Sequence, residues 1–275
     1  MKVTPHDEVM KPSVPTHRGL GITAGLDAGL VRELAAHCEQ LGYHSLWSND
    51  EPTARGLDTI AELAKATAKI ELGVGVLPLH RYQPAQIAAD VDRLGLDPAR
   101  LWLGIGSGSL SPRIDALHRA VAELRTLLPE QTRIVVAAMR PRLCRLGGAV
   151  ADGVLLNWMR PAQATRAREW VREGAAEQGR RAPVVASYVR VAVGPGARRR
   201  LREEESFYRT INEGHRRHFA SMRVPVGSVG IAASQRSDLL EALAPYHSAL
   251  DLPIVPVIAD PDTALLTAVT DAAAP

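Results

Sequence analysis

Cysteine is nearly absent from this chain, with only Cys38 and Cys144 among 275 residues. Both fall in stretches of helical period, which argues against a disulfide framework and reads them as small buried hydrophobes. Aromatic residues are scarce too, at 4%, and charge of one sign hardly prevails: 33 Lys and Arg against 30 Asp and Glu give +3. A nucleic-acid footprint needs a dense basic face with interleaved aromatics, and the short run from Ala197 to Arg202 does not supply one. No nucleic-acid partner is expected. The first seventeen residues hold three prolines and no apolar signal segment, and no later run is long enough to span a bilayer. A soluble, cytoplasmic protein with no membrane partner and a flexible tail over residues 1–17 is the expectation. Missing as well are a nucleophile elbow with Ser/His/Asp order and a GxxxxGK(S/T) phosphate loop, so triad hydrolysis is disfavoured.

What is present is length and alternation. A chain of this size, 46% hydrophobic, can bury one large core. Short β-branched or apolar runs alternate with longer stretches of period 3.6. Strands are predicted at 19–24, 43–47, 70–76, 101–105, 133–138, 153–156, 184–193 and 254–258. Helices fit 28–41, 56–68, 84–94, 112–127, 141–150, 161–179 and 237–250. The first has Leu30, Leu34, Cys38 and Leu41 on one face, Asp27 as N-cap and Gly42 as stop. Several others open on proline. Eight strands, nearly all followed by a helix, predict an α/β (β/α)8 TIM barrel as a single domain over 18–275. A segment over about 194–234 breaks the rhythm and reads as a helical excursion on the top face. It carries His215 and His218, spaced for one helical face. Arg216 and Arg217 beside them argue for a solvated face, so no metal is expected.

In such a barrel the chemistry sits just after each strand. After the second strand come Asn49, Asp50 and Glu51. These either cap a helix-start loop, or Asp50 or Glu51 acts as a proton-transfer or substrate-orienting group. The third strand carries Gly73 and Gly75 before a loop with His80 and Arg81. It is either a plain strand end or a place where a bulge lets a flat ligand approach the backbone. The fourth ends in the glycine- and serine-rich LGIGSGSLSP, a weak anion-binding signal taken alone. After the fifth, Met139, Arg140, Pro141 and Arg142 open a helix whose free amides make a phosphate seat, unless the arginines are merely solvated. Asn157 and Trp158 follow the sixth, the indole packing on a ring system or on the rim. This polar set suits holding a redox cofactor that carries the chemistry itself.

Three stretches in this order, LGVGVLPL with QPAQIAADVDRL, RLWLGIGSGS, and VVAAMRPRLCRLGGAVADGVLLNW, resemble the luciferase-like monooxygenase superfamily, particularly its deazaflavin-dependent branch. The resemblance spans about residues 19–260. It implies a barrel with trimmed insertion loops and a flavin-type cofactor, coenzyme F420 first and FMN as the alternative. It implies a non-prolyl cis peptide at Gly75-Val76 behind the ring, and Asp50 and Glu51 against ring and substrate. The resemblance places Ser107, Gly108 and Ser109 at the fourth strand's end, where relatives have Arg or Glu. It also implies a phosphate site at Ala138, Met139 and Arg140, where relatives are glycine-rich, with Arg142, Asn157 and Trp158 nearby. Relatives often have His where this chain has Glu51. Hydride transfer to a small organic substrate is the leading implication; an FMN-dependent monooxygenase using O2, or a non-catalytic flavin- or partner-binding relative, are the others. A homodimer is expected on the same ground.

Overall fold

A computed structural model describes residues 17–257 and 263–275. The tail predicted over 1–17 lies, except for His17, outside the described residues. In chain order the elements are β1 (Gly19–Ile22), α1 (Ala28–Gln40), β2 (Ser45–Ser48), α2 (Gly56–Lys65), β3 (Glu71–Pro78) and α3 (Pro84–Arg93). They continue through β4 (Leu101–Gly106), α4 (Arg113–Leu127), β5 (Arg133–Ala137), α5 (Pro141–Val150), β6 (Gly153–Asn157), α6 (Pro161–Glu177) and β7 (Val184–Tyr188). The chain ends with β8 (Val191–Val193), α7 (Ala197–Ile211), α8 (Glu213–Met222), β9 (Ile231–Ala233), α9 (Arg236–Ala249), β10 (Leu252–Pro256) and α10 (Thr263–Ala272).

Eight strands close into a parallel barrel in the order β1-β10-β7-β6-β5-β4-β3-β2. Pairing of β1 with both β2 and β10 leaves the barrel no open edge. The predicted local signals act where expected. Asp27 Oδ1 accepts from the Leu30 amide at 3.0 Å, Gly42 takes the left-handed conformation after α1 at φ +81°, and α3, α5 and α6 open on proline. Cys38 and Cys144 are free and buried inside α1 and α5, where burial pushes each thiol up to about 12.

Trp47, Trp102, Leu155, Tyr188 and Ile254 fill the barrel interior. Burying an aromatic side chain of this size is worth about 3 kcal/mol. Space for Trp47 comes from Gly73, where an added Cβ would lie 2.4 Å from the indole. Gly73 thus serves side-chain packing, whereas the bulge predicted near it falls two residues later.

Three sequence readings are corrected. The run 184–193 is not one strand: β7 stays in the barrel to Tyr188, and the chain then leaves to form a small parallel sheet of β8 with β9. Apolar periodicity cannot register a change of sheet inside a buried run. The face carrying His218 is not solvated: this ring is 4% exposed and Nε2 donates to the Trp158 carbonyl at 2.8 Å, while Arg216 and Arg217 face solvent and pair with Glu213. The strand predicted at 254–258 begins at Leu252, and Ile258 lies outside the described residues.

The excursion contains α7 and α8, pinned by Glu205. This fully buried carboxylate accepts from Arg209 and from the amides of Gly227 and Val229. At the opposite end, Arg18 donates to the carbonyls of Ala273 and Ala274 at 2.6 and 2.9 Å, satisfying groups that α10 leaves open. Among the described residues no helix is long and apolar enough to cross a membrane.

Candidate functional site

Two cavities open at the C-terminal ends of the barrel strands. The first, of about 210 Å³, lies between the ends of β1, β2, β7 and β10 and the overhanging α7. Ile22, Trp47, Tyr188 and Phe207 give it apolar walls, and Asn49, Glu51, Arg190 and Glu204 a polar side. The second, of about 810 Å³, lies between the loop after β4, the start of α5 and the start of α8.

The adjacent carboxylates after β2 have separate fates. Asp50 has a fully buried side chain: Oδ1 accepts from the Gly56 amide at 2.9 Å and from the Tyr82 hydroxyl at 3.2 Å. Its Oδ2 lies 3.1 Å from Arg81 Nη1 in an ion pair without hydrogen-bond alignment. Asp50 therefore ties the loop to the start of α2 and to the β3–α3 connection. Glu51 faces the first cavity, where the Asn49 amide donates to its carboxylate. Asn49 is itself fixed, since its Oδ1 accepts from the Ala24 amide at 2.9 Å.

Gly75 and Val76 lie behind Tyr188, one layer away from this cavity. The peptide between them is cis, and pairing of β3 with β4 slips between Val74 and Leu77. Tyr188, which lines the cavity, donates its hydroxyl to the Gly75 carbonyl at 3.1 Å. A Cβ at Gly75 would lie 2.5 Å from both that hydroxyl and Leu155 Cδ2. Burial raises the Tyr188 phenol well above its ordinary range despite nearby Arg190, so it stays a hydrogen-bond donor.

Gly108 passes beside His80, the Ser107 carbonyl accepts from the Leu110 amide, and Ser109 reaches the second cavity with Arg140 and Arg142. Ala138 is buried and its amide already donates to the Leu155 carbonyl. Met139 packs partly against the neighbouring core. Helix α5 starts without a side-chain cap, so the first-turn amides of Arg142 and Leu143 remain open toward this cavity. Asn157 and Trp158 turn elsewhere: Asn157 Oδ1 accepts from Arg190 Nη1 at 3.0 Å. Trp158 is 1% exposed, with its ring against Tyr208 and Phe219.

Sequence reasoning missed Asn49 as the residue that holds Glu51, and it missed Tyr188, Arg190 and Glu204 altogether. A signal for Arg190 existed. An arginine inside an otherwise apolar run seldom goes fully buried without partners, and this one sits where the chain leaves the barrel.

A closed (β/α)8 barrel with a bulged third strand, a mouth cavity of mixed charge and an uncapped helix start beside a second cavity has the features of a cofactor-binding barrel. The profile of the luciferase-like monooxygenase family matches residues 12–120 and 113–241, and the chain belongs to that family. It is 32% identical over 124 residues to 4-hydroxyprotoasukamycin monooxygenase of Streptomyces nodosus subsp. asukaensis, covering 42% of this chain. The match spans only 33% of that relative's length. An F420-dependent secondary alcohol dehydrogenase in complex with an F420-acetone adduct superposes at a TM-score of 0.75 with 16% identity, covering 93% and 99% of the two chains. The oxygenating constituent of 3,6-diketocamphane monooxygenase from Pseudomonas putida, in complex with FMN, gives 0.63 with 15% identity over 94% and 98%. Both superpositions concern the fold.

Proposed function

We propose that this chain transfers hydride between coenzyme F420 and a small organic substrate held in the first cavity. The observation that carries this reading is Glu51: an acid–base side chain fixed by Asn49 at the cavity wall. The residues fit such a cofactor. Gly75 is buried against Tyr188 and Leu155 with no room for a side chain, which keeps the bulged strand close behind the cavity wall, and the uncapped start of α5, with Arg140 and Arg142, suits a phosphate. Bound there, a deazaflavin would supply hydride chemistry with little reactivity toward O2, because its position 5 is carbon.

The chain's own part is positioning and proton movement. Trp47, Tyr188 and Phe207 exclude water from one side of the cavity, and Glu51 gives or takes the proton that accompanies hydride transfer. A polar, charged cavity favours this over oxygen activation, which needs a dry pocket. The second reading, an FMN-dependent monooxygenase, draws on the similarity to the Streptomyces monooxygenase. Fluorescence titration of the purified chain with F420 and with FMN separates the two. Tighter binding of F420, with its reduction by an alcohol panel, is expected; preference for FMN with O2 consumption would favour the second reading, and binding of neither would overturn both.

A further inference from the structure

We propose that Arg190 anchors an anionic group of the substrate, so that the first cavity takes a small, largely apolar molecule bearing a carboxylate. This rests on reading that cavity as the substrate pocket.

Arg190 lies two residues beyond the end of β7 and is only 7% exposed, yet it lines the cavity. Its guanidinium lies 4.9, 5.3 and 5.0 Å from the ring centres of Trp158, Tyr188 and Tyr208. Three π faces stabilise the charge and fix the plane, but they do not satisfy its N–H groups. Of five donors, one on Nη1 reaches Asn157 Oδ1 at 3.0 Å. Glu204 Oε1 stands 3.8 Å from Nε, too far for a hydrogen bond. Among the described residues neither Nε nor Nη2 has a hydrogen-bond partner. A guanidinium this desolvated, held rigid and left with forked donors facing a cavity, is built for a planar anion.

The other charges in the cavity are consistent with this occupant. Glu51 is already engaged by Asn49. Glu204 is the competitor: it sits on mobile-length side-chain reach of Arg190, with a side chain one-third exposed, and an arriving carboxylate takes its place. The apolar walls at Ile22, Trp47 and Phe207 then receive the rest of the molecule.

Because Trp47 lines the cavity, intrinsic fluorescence of the full-length chain reports occupancy. The probes are benzoate, phenylacetate and 3-phenylpropionate, each against its primary amide, with benzylamine as the cationic control, in the presence and absence of F420 or FMN. At least one acid should bind about tenfold or more tightly than its amide, the size of a charge-assisted hydrogen bond. Arg190→Gln should erase that preference while leaving amide binding unchanged, and Arg190→Lys should restore part of it. Glu204→Gln, which leaves Arg190 and its ring cage in place, should tighten acid binding; this keeps the proposal falsifiable if Arg190 variants fail to fold. Equal binding of every acid and amide, tighter binding of benzylamine, or unchanged selectivity in folded Arg190→Gln would overturn it. Binding of F420 and FMN is scored separately, so a failed cofactor reading and a failed anion anchor give different results.

Discussion

The two cavities at the barrel mouth differ in chemistry as much as in place. The larger is lined by Arg113, Arg140, Arg142 and Arg217 against Asp115 and Glu213, with the bare start of α5 among them. The smaller is ringed by aromatic side chains, with Glu51, Glu204 and Arg190 in its wall. One is a broad basic trough suited to holding a phosphate, and the other is a narrow mixed pocket suited to acting on a small molecule. In the proposed function, anchoring and reaction fall to different cavities. Each cavity should accordingly fail in its own way when its residues are changed.

The largest effect is expected at Glu51. Glu51→Gln keeps the shape and the Asn49 contact but removes the proton function, so turnover should fall by about 10²–10⁴-fold, with F420 affinity changed less than about threefold. Asp50→Asn, next in sequence, should chiefly lower stability, because its carboxylate binds Gly56, Tyr82 and Arg81 rather than facing the cavity. Steady-state kinetics with chemical denaturation of both variants decides the matter. Equal losses of turnover would break the distinction between the neighbours.

Gly75→Leu comes next. Even its Cβ meets two heavy atoms at 2.5 Å, and overpacking of this kind costs about 1–3 kcal/mol. Cofactor affinity should drop about 10- to 100-fold, read by fluorescence titration. Full affinity in a folded variant would show that the ring does not lie against the bulge. In the basic trough the effect is smaller: Arg140→Ala with Arg142→Ala should weaken binding by about tenfold at low salt and less at high salt, since exposed charges are screened. A salt-independent loss would point to packing instead.

Much of this was legible in the residues. Eight strand ends, proline helix starts, the Asp27 cap and the Gly42 stop follow from local chemistry, so the barrel could be read without long-range information. The site was legible only in part. Spacing brought Asp50 and Glu51 to the same strand end, but which carboxylate turns inward depends on Tyr82 and Arg81, more than thirty residues later. Arg190 was hidden because the run around it reads as one strand, and its ring cage is assembled from three separate segments. Helix α10 has no counterpart among the predicted helices; its closing contacts come from Arg18 and Arg236, far and near in the chain.

The smallest effect contrasts the mouth with the floor through two histidines. Burial holds both His215, packed against Tyr208, and His247 down to about 4. At the floor, Arg18 can only donate, so His247 Nε2 accepts at 3.0 Å and must be neutral. At the mouth, His215 Nε2 is buried without a partner. Each ring binds a proton less readily folded than unfolded, so the stability it contributes is intact above pH 6.5 and lost as pH falls toward 4. Each should account for acid destabilisation on the order of 1 kcal/mol after solvent screening. His215→Gln should flatten that dependence without disturbing the closed end of the barrel. His247→Gln should flatten it too, while lowering stability at neutral pH if its amide fails to accept from Arg18. Urea midpoints measured at pH 7 and pH 5 for both variants test this, and an unchanged pH dependence in both would show that neither histidine is held neutral by the fold.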